Sequence, residues 1–409
     1  MTSRNALWGD SDFLKLWSAQ SISAFGARIT REGLPMAAVM TLGAAPAQIG
    51  VLAALSRGPA LIVGLMAGGL VDRRRKRGLL IVMDIVRAAV LALIPVAAWL
   101  HWLSMTQLYV TAAIVGAASV LFEIADHAYL PSLVAREHIT QANANLSATD
   151  SVAEVAGPAL AGVLFQLLAG PAAVGLNALT YLGSAGFLGA ISRPEPKPEA
   201  AEAAHWRRDL AEGVRTAVNE PRVWPLLVMT GTNALFGSFF SALYILFALR
   251  TLHLTPGMLG VTIAAGGVGA LAGAVLAPRL ARAIGAGPAI ALAAGAAGLA
   301  NLLIPLAPAT PVLGMLFLAG AQVFGDALAV TAWILAASLR QTVLPQGVLG
   351  RVEATFQAVA GGLGVCGALA GGALGGWIGT RETLFIAVSG MLIGPLVVAF
   401  SPLRRYREA

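Results

Sequence analysis

The sequence predicts an all-α integral membrane protein: twelve transmembrane helices in two six-helix halves. Three observations predict it, namely the composition, the spacing of the apolar runs and the placement of the basic residues. With 57% hydrophobic and 11% charged residues, most of this chain must have lipid as its solvent. The 47 glycines suit helices that approach closely through small side chains, so a packed bundle is expected rather than a single anchor.

A spanning helix needs roughly 20 mainly apolar residues. Segments of that kind fall at about 13–40, 48–71, 79–100, 106–130, 144–168 and 172–191, then at 223–249, 256–278, 287–306, 311–338, 352–378 and 383–401. With the N-terminus in the cytoplasm, the inside connections hold Arg73, Arg74, Arg75, Lys76 and Arg77, then Arg136. Later ones hold Arg193, Lys197, Arg207, Arg208, Arg215 and Arg222, and later still Arg279, Arg282, Arg340, Arg351, Arg404, Arg405 and Arg407. The opposite connections hold only Arg250 and Arg381. The positive-inside rule then places both termini in the cytoplasm.

The longest polar stretch divides the chain into an N-terminal half (1–192), a cytoplasmic linker (193–222) and a C-terminal half (223–409). The linker opens as RPEPKPEAAEAA, a flexible composition. It continues as HWRRDLAEGVRTAVNEP, where Leu210, Val214 and Ala217 come near helical spacing, as in a surface-lying amphipathic helix. The halves echo one another weakly: Ala159-Leu160-Ala161-Gly162 in the fifth span matches Ala368-Leu369-Ala370-Gly371 in the eleventh, as in internally repeated transporters.

Several function classes are excluded. The single Cys366 rules out disulfides within the chain and CxxC sites, and the five histidines lack ligand spacing, so no metal is expected. The basic residues sit in short loops rather than in one nucleic-acid-binding segment. No GxxxxGK[ST] loop occurs, which argues against ATP hydrolysis, and no cytoplasmic stretch is long enough for a catalytic or signalling domain. No cleavable signal peptide is expected.

Two motifs carry a resemblance. Gly68-Gly69-Leu70-Val71-Asp72-Arg73-Arg74-Arg75-Lys76-Arg77 follows the second span. Ala153-Glu154-Val155-Ala156-Gly157-Pro158-Ala159-Leu160-Ala161-Gly162 lies in the fifth, where Gly157, Pro158 and Gly162 suit tight packing and a bend. The first resembles the loop motif of the major facilitator superfamily and the second its antiporter motif, although alanine stands at 153 and 161 where glycine is usual. The segments Phe13-Leu14-Lys15-Leu16-Trp17, Gly33-Leu34-Pro35, Leu130-Pro131-Ser132-Leu133-Val134 and Gln141-Ala142-Asn143-Ala144-Asn145 are similar to the macrolide-efflux and siderophore-export branch. Ala27 follows Gly26 where that branch often has Asp, and the fourth span lacks the arginine of other drug-antiporter branches.

The resemblance implies the major facilitator fold and a conformational latch of Gly69, Asp72, Arg73 and Arg77. The Asp72 carboxylate would sit at a helix N-terminus in one conformation only. Asp84 and Arg87, three apart on the third helix, either extend the latch or form a self-satisfied pair.

Ionisable groups in the bilayer core are functional candidates by default. Arg28, Arg31 and Glu32 fall mid-depth on the first helix, Arg57 on the second and Glu154 on the fifth, with Asp150 a turn away. Glu123 and Asp126 lie in the inner half of the fourth helix, and Asp326 is the main acid of the C-terminal half. Arg28 and Glu32, four apart, are placed to pair. Glu154 leads the proton-coupling candidates, ahead of Glu32, Asp150 and Asp326, while Arg28, Arg31, Arg57, Glu123 and Asp126 are candidates to line a substrate cavity. The expected activity is proton-coupled export of small amphiphiles such as drugs or siderophores by a monomeric inner-membrane protein. It needs no cofactor beyond the proton gradient and has no partners but substrate and lipid. Lipid transport and uptake by symport are the alternatives.

Overall fold

The computed structural model describes residues 7–72, 74–168, 170–195 and 206–406. Among them every regular element is helical. The chain opens with α1 (Ser11–Thr41), α2 (Pro46–Asp72), α3 (Lys76–Trp99), α4 (Met105–Leu133), α5 (Ile139–Leu167) and α6 (Gly170–Gly189). A shorter helix, α7 (Trp206–Asn219), precedes α8 (Trp224–Leu246), α9 (Pro256–Ile284), α10 (Ala286–Ala300) and α11 (Leu303–Leu306). The chain closes with α12 (Pro311–Val343), α13 (Gln346–Trp377), α14 (Thr380–Met391) and α15 (Ile393–Phe400). Among the described residues, nine helical segments are long and apolar enough to cross a membrane, so the protein is a multi-pass membrane protein. The charged helices α1 and α5, with 31 and 29 residues, and the 20-residue α6 lie outside that set.

Helices α5 and α13 begin several residues before the apolar run does, at Ile139 and Gln346, because a polar turn can stay helical beyond the hydrocarbon. The ninth and last expected spans are each broken in two. Each break falls three or four residues before a proline, at Asn301 ahead of Pro305 and at Leu392 ahead of Pro395. The proline has no N–H to give the carbonyl four residues earlier, so the i+4 helical bond is lost there.

Two compact units result: Met1–Gly43 with Leu55–Ala204, and Ala44–Ala54 with His205–Ala409. In the first, α1 and α3 both pack on α6, α3 also meets α4, and α1 meets α5. Phe13, Leu16, Leu80, Tyr129 and Leu188 anchor its core at one end. In the second, α9 packs on α12 and α8 on α13. Helix α9 brings its backbone against α12 through Gly273, where a Cβ would lie 2.9 Å from the Ala327 carbonyl carbon. Thr331 Oγ1 then donates to the Gly273 carbonyl at 3.0 Å, an interhelical bond that only this close approach permits.

Helix α7 is amphipathic and meets α13. Gly213 rather than Val214 faces α13: a Cβ at Gly213 would lie 2.7 Å from the carbonyl carbon of Arg351. Ala217 is fully buried while Val214 and Val218 are exposed. Glu212 Oε1 accepts from Arg351 Nη1 at 2.7 Å beside this contact.

Candidate functional site

The mid-depth charges of the first unit converge on one carboxylate. Glu154, on α5, is ion-paired with Arg28 and, at 3.0 Å, with Arg31, both from α1. Arg31 uses its Nε at 2.9 Å to hold Glu32 as well. Arg31 is therefore the shared cation of two acids, and Glu154 the shared anion of two arginines. The expected Arg28–Glu32 pair is replaced by Arg28–Glu154, and Glu32 takes its chain neighbour Arg31 instead.

The reason lies in the motif around Gly157. A Cβ at Gly157 would lie 2.9 Å from Arg28 Cγ and closer still to its Cβ, so the bare glycine lets the arginine stem lie across α5. The guanidinium then reaches Glu154, one turn away. Of the motif residues, Gly157, Pro158 and Gly162 are all buried. Glu32 has only 12% of its side chain exposed, against 43% for Glu154 and 44% for Arg31. The Arg31–Glu32 bond is thus the more sheltered of the two Arg31 contacts, while the Glu154 end is less covered by protein. Arg57, on α2, stands close enough to Arg31 and Glu32 to feel both charges.

A second group of acids lies on α4 and α5. Asp126 accepts a hydrogen bond from the Gln20 amide of α1 and lies within electrostatic reach of Asp150 and Glu123. Asp150 in turn feels Arg28, His127 and Glu154. Trp17 Nε1 donates to Thr149 Oγ1 at 3.0 Å, a further tie between α1 and α5. Nothing in the sequence pattern pointed to Gln20 or Thr149, since the register between helices is not a local property.

At the end of the unit that carries Arg77, the carboxylate standing at a helix N-terminus is Glu195. Its oxygens accept from the backbone N–H groups of Lys76 and Arg77 at 2.5 and 3.1 Å, where the positive end of α3 favours an anion. Arg77 donates to the last carbonyls of α6, Leu188 at 2.9 Å and Gly189 at 2.5 Å. Asp12 accepts from the N–H groups of Ser192 and Arg193, and the Arg193 side chain reaches Asp10 at 2.9 Å. The expected latch residue Arg73 and the Asp72 side chain lie outside the described residues, as do the surroundings of Gly69. Glu195 sits in the polar run that composition alone reads as linker, which is why the sequence did not single it out.

The sequence profile of the transmembrane secretion effector family matches residues 3–409. The chain belongs to that family, and it is a major facilitator superfamily transporter. The enterobactin exporter EntS of Citrobacter koseri is 29% identical over 374 residues, 88% of this chain and 85% of the exporter. The multidrug efflux pump Tap of Mycobacterium bovis is 28% identical over 397 residues, 91% of this chain and 88% of the pump. Among solved structures, the nucleoside transporter NupG superposes with a TM-score of 0.78 at 11% identity, covering 97% of this chain and 99% of that one. A bacterial homologue of the iron transporter ferroportin does so with 0.77 at 18% identity, covering 95% and 97%. These two likenesses show the fold alone.

Two sequence-predicted sites of this secretion-effector family member stand apart from the network. Asp84 and Arg87 form an ion pair in which both side chains are essentially buried. The Arg87 guanidinium lies 4.3 Å from the ring centroids of both Phe122 and Tyr181, and donates to Ser23 at 3.3 Å. The pair is held within the helix packing of α3, α4, α6 and α1, where Asp84 Oδ2 and Arg87 Nε are buried without a hydrogen-bond partner among the described residues. Asp326 lies in the second unit, with Oδ2 against Gly266 of α9. Among the described residues no group of His, Cys, Asp and Glu side chains is arranged to hold a metal.

Proposed function

We propose that this transporter exports small amphiphilic molecules, such as drugs or siderophores, in exchange for protons. It works by alternating access as a monomer in the bacterial inner membrane, with twelve spans in two halves and both termini in the cytoplasm. Gradient and substrate suffice, without a cofactor. Two relatives, an enterobactin exporter and a multidrug efflux pump, support export of molecules of this kind. The observation that carries the coupling is the double bridge from Arg28 and Arg31 to Glu154.

Protonating Glu154 removes the charge that both arginines share, so the electrostatic tie between α1 and α5 loosens at once and Arg31 is left to Glu32. A proton taken up on one side of the membrane thereby changes helix packing, and restoring the bridge expels the proton. A population shift of about tenfold needs only about 1.4 kcal/mol of differential contact, less than one charge-assisted hydrogen bond contributes. Glu32, Asp150 and Asp326 are the remaining carriers in this reading. Arg28, Arg31, Arg57, Glu123 and Asp126 supply the polar lining that meets cargo, and Asp72 with Arg73 and Arg77 latches one conformation. The test is uptake of a substrate panel into inverted membrane vesicles under an imposed pH gradient. Gradient-dependent, ionophore-sensitive accumulation supports exchange, and transport indifferent to the gradient rejects it.

A further inference from the structure

The second unit has a partly open cavity of about 480 Å³ among α8, α10, α12, α13 and the α14–α15 break, remote in sequence from the charged network of α1 and α5. The volume follows from the sequence of α12. Ala329, Ala332, Ala336 and Ala337 all line the cavity, and their spacing of three, four and one residues puts them on one helix face. Ala234, Ala294, Ala297 and Ala360 do the same from three other helices. Where an ordinary bundle would fill its middle with Leu and Phe, methyl groups from four helices leave a drug-sized space.

The lining has a definite chemistry. Among the described residues its only ionisable side chains are Arg340 and Glu353, and these neutralise each other through two bonds, Nε to Oε1 at 2.7 Å and Nη2 to Oε2 at 3.1 Å. Arg340 is further committed, stacked 4.3 Å from the centroid of Phe356 and only 6% exposed. A fork engaged in this way has little left to offer a ligand anion, and Glu353 has little to offer a cation. Asn233, Asn301, Gln341 and Gln357 bring amides, each both donor and acceptor, to the wall. Trp333 lines the space while remaining 68% exposed, so a broad aromatic face stands at its edge. Met229 and Met391 add polarizable, adaptable surface.

We propose that this cavity is a binding site, formed by the second unit alone, for a flat, uncharged amphiphile bearing hydrogen-bonding groups. A charged ligand would lose its hydration against a wall whose own charges are already paired. An uncharged aromatic ligand loses little, stacks on Trp333 and pairs with the amides. That the ligand is cargo rests on the exporter reading; that the cavity binds it does not.

The experiment uses the full-length protein in nanodiscs with Cys366→Ser, which removes the native thiol, and Ala337→Cys, which places a thiol on the cavity wall. Labelling by N-ethylmaleimide is timed with and without three probes: uncharged prodan, cationic ethidium and anionic anilinonaphthalene sulfonate. Prodan should slow labelling about tenfold when near saturation, the two ions should leave it nearly unchanged, and Ala329→Leu, which fills the space, should abolish the protection. A thiol that does not label, equal protection by all three probes, or protection that survives Ala329→Leu overturns the inference. Loss of prodan protection with export intact overturns this site alone, and protection without any export from vesicles overturns the exporter reading alone.

Discussion

Arg31 Nη2 lies 3.0 Å from Glu154 Oε1 while the same guanidinium holds Glu32 through Nε at 2.9 Å. One planar group thus spans an acid of its own helix and an acid of α5. Lysine, a point charge on a flexible stem, cannot occupy both positions in fixed geometry. Arg31→Lys is therefore expected to insert normally and to lose gradient-driven transport about tenfold or more, the loss of one charge-assisted hydrogen bond at about 1.5–3 kcal/mol. Initial efflux rates normalised to membrane-resident protein check this, and a wild-type rate would show that the bridge is not shared in the working cycle.

Gly157 offers an independent handle on the same bridge. Its missing Cβ is the space through which Arg28 crosses α5, so Gly157→Ala should displace the arginine from Glu154 without removing any charge. Overpacking of this kind costs about 1–3 kcal/mol, and the melting temperature in detergent should fall accordingly. Arg28→Lys, with a slimmer head but the same stem, should not relieve it. A stable, fully active Gly157→Ala protein would mean that Arg28 has another route.

The clasp at Asp12 makes a pH prediction. Asp12 lies just before the first apolar run, and the Lys15 ammonium at 2.9 Å, with the N–H groups of Ser192 and Arg193, lowers its pKa to about 2 from 3.8. Because the folded value is the depressed one, the stabilisation is fully present above pH 4 and fades as pH falls toward 2. It amounts to about 2 kcal/mol at neutral pH. Thermal unfolding should separate wild type from Asp12→Asn at pH 7, and the gap should shrink to about half by pH 3. A gap independent of pH would assign the loss to packing instead of charge.

At α7, two contacts with α13 separate cleanly. The Glu212–Arg351 pair is half exposed, and such pairs contribute about 0–1 kcal/mol, so Glu212→Gln should leave α7 docked. Gly213 meets backbone atoms of Arg351 that cannot move aside, so Gly213→Leu should lift the helix. Limited proteolysis of the 193–222 stretch reads the difference: faster cleavage in Gly213→Leu alone is expected, and equal cleavage in both variants would contradict it.

How much of this was legible follows from which interactions are local. Hydropathy was the most legible signal, because the bilayer selects each segment by its own composition: among the described residues nine helical segments are long and apolar enough to span. The two broken spans were also written locally, in Pro305 and Pro395, although a window average hides them. Mid-depth charges were found one by one for the same reason. Their pairing was not: i to i+4 spacing suggested Arg28 with Glu32, whereas Gly157 on another helix redirected Arg28 to Glu154. Glu195, Gln20 and the α12 alanines escaped notice because a cap, an interhelical hydrogen bond and a cavity all depend on which helices become neighbours. The packing of α7 on α13 was hidden as well, because Gly213, which lies against the Arg351 backbone, carries no apolar signal.

The central claim is that Glu154 couples the proton to transport by gathering and releasing Arg28 and Arg31. Its most direct test is Glu154→Gln in proteoliposomes, measuring concentrative transport under a pH gradient and downhill exchange at equal pH in the same preparation. The account predicts that the variant binds substrate and exchanges it downhill while losing accumulation against a gradient. Accumulation at the wild-type rate would contradict it and pass the role to Glu32, Asp150 or Asp326.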